Sequence, residues 1–204
     1  MKDSLFEPDR ESDFDQLKEK VLSCSRCDLS HTRNNVIFGE GNRDAAIMII
    51  GEGPGRDEDL QGRPFVGKSG QLLDRILEAC GFTRQKHVFI SNIVKCRPPD
   101  NRVPTPAEAE MCMPWLLNQI ELIDPGIIIL LGSTALKFMA GSDYRITRDR
   151  GQWISCQGRL TMPVYHPAAL LRDPSLKRDT WEDFKKIVWK YRETYDQKHH
   201  SAHV

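Results

Sequence analysis

Residues 45–55 read Ala-Ala-Ile-Met-Ile-Ile-Gly-Glu-Gly-Pro-Gly, an apolar run that stops at Gly51 and then turns. A strand with one wet face alternates apolar and polar residues, so the unbroken run Ala45–Ile50 predicts a strand buried on both faces. Strands of that kind belong to parallel sheets covered by helices on both sides. The neighbouring sequence agrees. Ser69 precedes Leu72, Leu73, Ile76 and Leu77 at helical spacing, and Gly81 closes that helix. His87–Val94 predicts a second strand, and Thr105 and Pro106 read as the N-cap and first residue of a helix running to about Ile123. Ile127–Leu131 is a third buried strand, followed by a short helix over Ser133–Met139. Trp153–Cys156 and Leu160–Val164 flank a Gln157-Gly158 turn. A helix over 13–23, with Phe14, Leu17, Val21 and Leu22 on one face, and an amphipathic helix over about Pro174–Tyr191 complete the pattern.

Strands alternating with helices imply a three-layer α/β/α sandwich around a central, mainly parallel four-stranded sheet. Residues 1–204 read as one domain, and 196–204 as a disordered tail whose three histidines are a loose end rather than a metal site. Sites in such folds lie beyond the C-terminal ends of the strands. Here those ends carry Gly51–Gly55, Asn92–Arg97, Gly132-Ser133 and Tyr165-His166-Pro167.

At 39% apolar and 28% charged, the composition is that of a soluble globular domain. The longest aliphatic run, Ile127–Leu131, is far below the ~20 residues of a membrane span, and the acidic opening MKDSLFEPDRESDFD has no signal-peptide core. A cytoplasmic protein with no membrane partner is expected. The net charge of zero argues mildly against nucleic acid, but it is unevenly spread: residues 1–30 hold five Lys/Arg against eight Asp/Glu, whereas 132–180 hold eight against four. The second segment predicts a locally basic surface.

In a reducing compartment six cysteines suggest chemistry or metal rather than disulfides. Cys24 and Cys27 form a C-x2-C pair, Cys96 follows the second strand, and Cys112 lies on the next helix. The residues alone leave open a four-thiolate zinc site, an iron–sulfur cluster, or unrelated thiols. Cys80 and Cys156 read as small core residues. The Gly51–Gly55 turn offers backbone N–H groups, yet it matches neither the Walker nor the full dinucleotide pattern.

The longer string from Gly51 through Gly62-Arg-Pro-Phe-Val-Gly-Lys-Ser-Gly70, with SNIVKCRPPDNR (91–102) and YHPAALLR (165–172), resembles the family 4 uracil-DNA glycosylases from about Cys24 to the final helix. That resemblance implies a DNA repair enzyme that flips uracil from single- or double-stranded DNA and hydrolyses its N-glycosidic bond. It also implies a [4Fe–4S] cluster held by Cys24, Cys27, Cys96 and Cys112. Glu52 and His166 would be catalytic: His166 donates to uracil O2 as charge develops, and Glu52 positions water or stabilises the sugar cation, helped by an acid from Asp57-Glu58-Asp59. Gly53 and Pro54 would border the substrate, Phe65 would stack on the flipped base, and Asn92 would read its N3–H and O4. Gly53 stands where other families carry a water-activating Asp, and Gly55 where some carry a thymine-blocking Tyr.

For DNA, Lys68 and Ser69 at a helix start and Arg172 would hold phosphates, and Arg97–Arg102 would face the duplex. Leu170, four residues after His166, is either a wedge into the vacated stack or a buried contact. A monomer is expected; nothing in the sequence supports a sliding clamp as partner. The rivals are a relative that traps uracil-DNA without turnover, a zinc-stabilised nucleotide-binding domain, and a non-catalytic polymerase accessory factor. The trapping relatives carry an inserted KRRIH loop, whereas this chain reads KCRPPDNR; the nucleotide-binding reading needs a lysine where the glycine turn has Glu52.

Overall fold

The computed structural model describes residues 10–204, and side chains from residue 13 onward. In chain order the elements are α1 (Arg10–Leu22), α2 (Leu29–Thr32), β1 (Glu40–Gly41), β2 (Ile47–Gly51), α3 (Arg56–Gln61), α4 (Lys68–Ala79), β3 (Val88–Asn92), α5 (Pro106–Ile123), β4 (Ile127–Leu131), α6 (Gly132–Ala140), α7 (Ile146–Asp149), β5 (Ile154–Cys156), β6 (Arg159–Val164), α8 (Pro167–Arg172) and α9 (Leu176–Thr194). The sheet order is β1-β3-β2-β4-β6-β5. Its four inner strands are parallel, as the apolar runs predict, and the short outer strands β1 and β5 pair antiparallel at the edges. The sheet therefore has six strands, not four. Two-residue β1 lacks any apolar alternation, so periodicity gave no sign of it.

The unalternating runs do what they imply. In β2, Met48 and Ile50 join the core under α1, α5 and α6, while Ile47 and Ile49 join the opposite core under α4 and α9. β4 divides in the same way, with Ile128 and Leu130 on one face and Ile127, Ile129 and Leu131 on the other. Each apolar residue is thus removed from water whichever way it points. The chain leaves β2 for β3 on one side and returns as β4 on the other, so the order reverses beside β2. A crevice opens at such a reversal, beyond the strands' C-terminal ends.

Local signals set the helix ends. Thr105 Oγ1 accepts the Glu108 N–H at 3.2 Å, and the Glu108 carboxylate accepts the Thr105 N–H at 2.8 Å, a closed capping box at the start of α5. In α1, Phe14, Leu17 and Val21 are buried as their spacing predicts, but Leu22 lies outside the stripe and is exposed.

The C-terminal segment corrects its expected disorder. The His199 ring stacks on Phe82 at 4.6 Å, its Nε2 lies 2.8 Å from the Cys80 carbonyl, and Ser201 Oγ donates to the Ala79 carbonyl at 2.7 Å. The last carbonyls of a helix have no partners within it, and here the tail supplies them at the end of α4. Polar composition concealed a role that only the fold creates.

Candidate active site and cysteine centre

The four inner strand ends converge on one pocket of about 650 Å³, lined by Glu52, Gly53 and Pro54 after β2, Asn92 at the end of β3, Gly132 and Thr134 after β4, and Tyr165 and His166 after β6. Phe65, Ser69 and Arg172 also line it. The turn after β2 stays laced to the chain beyond β3: Ile93 N–H donates to Gly51 O at 2.9 Å and Val94 N–H to Glu52 O at 3.2 Å. This close approach is why glycines stand there. A Cβ on Gly51 would lie 2.5 Å from Asn92 Oδ1 and 2.6 Å from Phe65 Cζ. A Cβ on Gly53 would lie 2.7 Å from Val94 Cγ2, so a side chain at position 53 would have to displace Val94.

Asn92 is 1% exposed, and its Oδ1 is buried with no hydrogen-bond partner. Buried polar atoms are nearly always paired, so an orphan on a pocket wall points to a ligand that completes it. Beside it stands Phe65, whose backbone is left-handed at φ 53°, an unfavourable conformation for a bulky residue. Three contacts hold it there. Arg84 donates to Pro64 O at 2.7 Å and Phe65 O at 2.5 Å, and Gly70, in the first turn of α4, leaves space for the Phe65 carbonyl, which a Cβ would meet at 1.9 Å. The Phe65 ring ends 5.6 Å from the His166 ring, the two planes at 30°.

His166 caps α8: its Nδ1 accepts the Ala168 N–H at 3.1 Å. In the neutral ring the proton then sits on Nε2. Burial, and next the positive charge of Arg172, push its pKa from 6.5 down to about 4, against a smaller opposing pull from Glu58. Glu52 accepts a short hydrogen bond from Thr134 Oγ1. Thr134 was not singled out by the sequence; its only signal was its place just after a strand end.

Two of the three acids after the turn hold loop backbone: Asp59 lies outside the pocket, whereas Glu58 lines it. The Glu58 carboxylate accepts the N–H groups of Val66 at 2.8 Å, Gly67 at 2.9 Å and Gly55 at 3.1 Å, joining the glycine turn to the Phe65 loop. Asp59 accepts the N–H groups of Asn34 at 2.9 Å and Asn35 at 3.2 Å, outside the pocket. Their role is to order loops.

Cys24, Cys27, Cys96 and Cys112 line a second, small pocket between α1, the segment before α2, and α5. Among the described residues no three His, Cys, Asp or Glu side chains form a group able to hold a single metal ion. The sulfurs are nevertheless well supplied with donors. Arg33 Nη1 donates to Cys96 Sγ at 3.0 Å, Trp115 Nε1 to Cys24 Sγ at 3.2 Å and the Lys95 N–H to Cys112 Sγ at 3.3 Å. Burial raises the Cys96 thiol to about 11, opposed by Arg33. Cys80 and Cys156 lie apart, buried, and Cys156 donates to Met139 O at 2.9 Å.

Residues 38–187 match the sequence profile of the Uracil DNA glycosylase superfamily. The chain belongs to that superfamily. It is 46% identical to a type-4 uracil-DNA glycosylase of Thermotoga maritima over 183 residues, covering 87% of this chain and 94% of that protein. It is 42% identical to a type-4 uracil-DNA glycosylase of Archaeoglobus fulgidus, over 85% of this chain and 91% of that protein. It is also 37% identical to a DNA polymerase of Bacillus phage SP01, over 67% of this chain but 15% of the polymerase.

The glycosylase pocket opens onto a rim where the expected DNA contacts are unequally placed. Lys68 is exposed at the start of α4, Ser69 half-buried on the pocket wall, and Arg172 exposed at its edge. Leu170 is 1% exposed, which makes it a buried contact and removes it as a wedge. Helix α8 turns Pro167 and Leu170 inward at i, i+3 and leaves Leu171 outside at 44% exposure. The basic surface of residues 132–180 is also reduced, because Arg148 pairs with Asp149 at 2.9 Å, Arg150 with Asp183, and Arg159 with Asp124 at 2.8 Å.

Proposed function

We propose that this pocket receives a uracil flipped out of DNA and hydrolyses its N-glycosidic bond, leaving an abasic site for base excision repair. The observation that carries this reading is the partnerless Asn92 Oδ1. It accepts uracil N3–H, while the same amide donates to O4. Phe65 offers its ring face to the base. His166, neutral and protonated at Nε2, donates to uracil O2 as negative charge gathers on the leaving base, a preorganised donor to a developing anion. Glu52, oriented by Thr134, holds the attacking water or stabilises the sugar's positive charge.

The cysteine pocket fits a [4Fe–4S] cluster. Four thiols line it, and N–H donors face three of the sulfurs. Cys24, Cys27, Cys96 and Cys112 would hold the group, which when bound supplies a cross-link rather than chemistry at the base. The chain then acts as a monomer on uracil-containing DNA in the cytoplasm, where these thiols stay reduced. Lys68, Ser69 and Arg172 contact phosphates.

The test is base release from an oligonucleotide with one uracil, with alkali to cleave the abasic site, for the wild type and Asn92→Asp. The aspartate removes the N–H₂ donor and sets a carboxylate oxygen against uracil O4. A misread bidentate contact is worth about 1–3 kcal/mol, so uracil excision should fall roughly tenfold or more. Wild-type rates in the variant would make Asn92 a structural residue and sink this pocket.

A further inference from the structure

Lys95 is 1% exposed, and the groups that electrostatically favour its buried ammonium are the neighbouring Cys112 and Cys96 thiols. Its ammonium donates to the Asn92 carbonyl at 2.9 Å, Gln119 Oε1 at 2.7 Å and Ser91 Oγ at 2.5 Å. Three donors thus meet three acceptors, all uncharged. Burying an ammonium without a carboxylate is costly, and an apolar side chain would fill the same space without that cost. The acceptors are themselves anchored: Gln119 Nε2 donates to Phe38 O at 2.7 Å, fixing α5 to the segment before β1.

The backbone of Lys95 belongs to the other centre. Its N–H bonds Cys112 Sγ at 3.3 Å, its carbonyl accepts the Ile37 N–H at 2.7 Å, and the next residue is Cys96. One residue therefore joins the cysteine segment to the end of β3. Asn92 is where that strand ends, and its Oδ1 makes no hydrogen bond that would orient it. Its aim is set by its backbone.

We propose that Lys95 is a positioning residue, whose buried ammonium fixes the Asn92 backbone and so the base-reading amide, tying it to the Cys96–Cys112 segment. The proposal rests on Asn92 reading the base. It is tested on the full chain by fluorescence anisotropy with two oligonucleotides, one carrying a uracil nucleotide made uncleavable by fluorine on its sugar, the other an abasic analogue. The ratio of the two affinities isolates the uracil contribution from phosphate contacts. Lys95→Met should lower that ratio about tenfold while abasic affinity stays within about twofold, and should have no further effect in an Asn92→Ala background, the signature of two residues acting as one unit. Equal losses on both oligonucleotides, or a loss that multiplies with Asn92→Ala, would reduce Lys95 to general support and overturn the proposal. If Asn92→Ala alone keeps the full ratio, the base-reader assignment has failed instead. Should Lys95→Met not fold by circular dichroism, Ser91→Ala, which removes one of the three acceptors, enters the same cycle. It should show a smaller loss of the same non-additive kind, and an unchanged ratio overturns the proposal.

Discussion

The Nδ1 of His166 accepts the backbone N–H of Ala168 at 3.1 Å, so one imidazole both caps α8 and presents its remaining nitrogen to the pocket. The cap fixes the tautomer. A proton on Nδ1 would break the cap, which adds to burial and Arg172 in holding the ring neutral.

His166 should therefore remain neutral, with its proton on Nε2, from alkaline pH down to about 4, rather than titrating near 6.5. Because the folded pKa is depressed, the unfolded chain takes up this proton first as pH falls. The residue's contribution to stability is full above pH 6.5, declines as pH drops towards 4, and is constant below that. Nitrogen chemical shifts of the ring, followed by NMR, check the first point; a titration midpoint at 6 to 7 would contradict it. His166→Ala should lower single-turnover base release by about 10²–10³, the usual cost of losing one preorganised donor to an anion.

Phe65 depends on residues that never touch the base. Gly70→Ala would drive a Cβ to 1.9 Å from the Phe65 carbonyl, and Arg84→Met would strip the donors from Pro64 O and Phe65 O. Each buried carbonyl left unpaired costs about 1–3 kcal/mol, so Arg84→Met should lower the melting temperature as well as the excision rate. Both variants should slow single-stranded and duplex substrates alike, because the ring acts after flipping. An effect confined to duplex would place Phe65 at the strand opening instead.

The cysteines divide into four and two. Protein purified without oxygen should be brown, with broad absorbance near ~400 nm, as a cluster held by four thiolates is. Cys96→Ser should lose most of this colour and its iron, whereas Cys80→Ser and Cys156→Ser should keep both, since those two residues lie outside the cysteine pocket. A colourless protein with one zinc per chain would overturn the assignment.

What the sequence made legible follows from the range of the forces involved. Ala45–Ile50 and Ile127–Leu131 announced themselves because burial on both faces removes alternation, whereas Asn92 and His166 took their roles from the resemblance, their places near strand ends being only consistent with it. The Thr105 capping box is local and was readable for the same reason. Arg84 and Lys95 were not legible: Arg84 acts on the Phe65 carbonyl at 19 residues' separation, and Lys95, though only three residues from Asn92, is also bonded to Gln119, which only the tertiary fold brings near. Helix α8, six residues long, is too short for periodicity to fix its phase, so Leu170 and Leu171 could not be told apart.

That phase yields the final prediction. Leu170 is enclosed, so Leu170→Ala should cost about 2–5 kcal/mol of stability through lost burial and the cavity left behind, seen as a lower melting temperature on every substrate. Leu171 stands 44% exposed on the same short helix as Ala169 and Arg172, which line the pocket, and Val103, 59% exposed, lines the pocket as well. An apolar side chain held in water at the mouth of a base-flipping pocket can enter the gap left in a base stack. Leu171→Ala should leave the melting temperature unchanged and slow excision from duplex DNA, with little effect on single strands, which have no stack to refill. Comparing the two leucine variants on matched single- and double-stranded oligonucleotides separates the roles. Equal rates of Leu171→Ala and wild type on duplex would show that the wedge is neither leucine, and Val103→Ala on the same pair of substrates would then be the variant to measure.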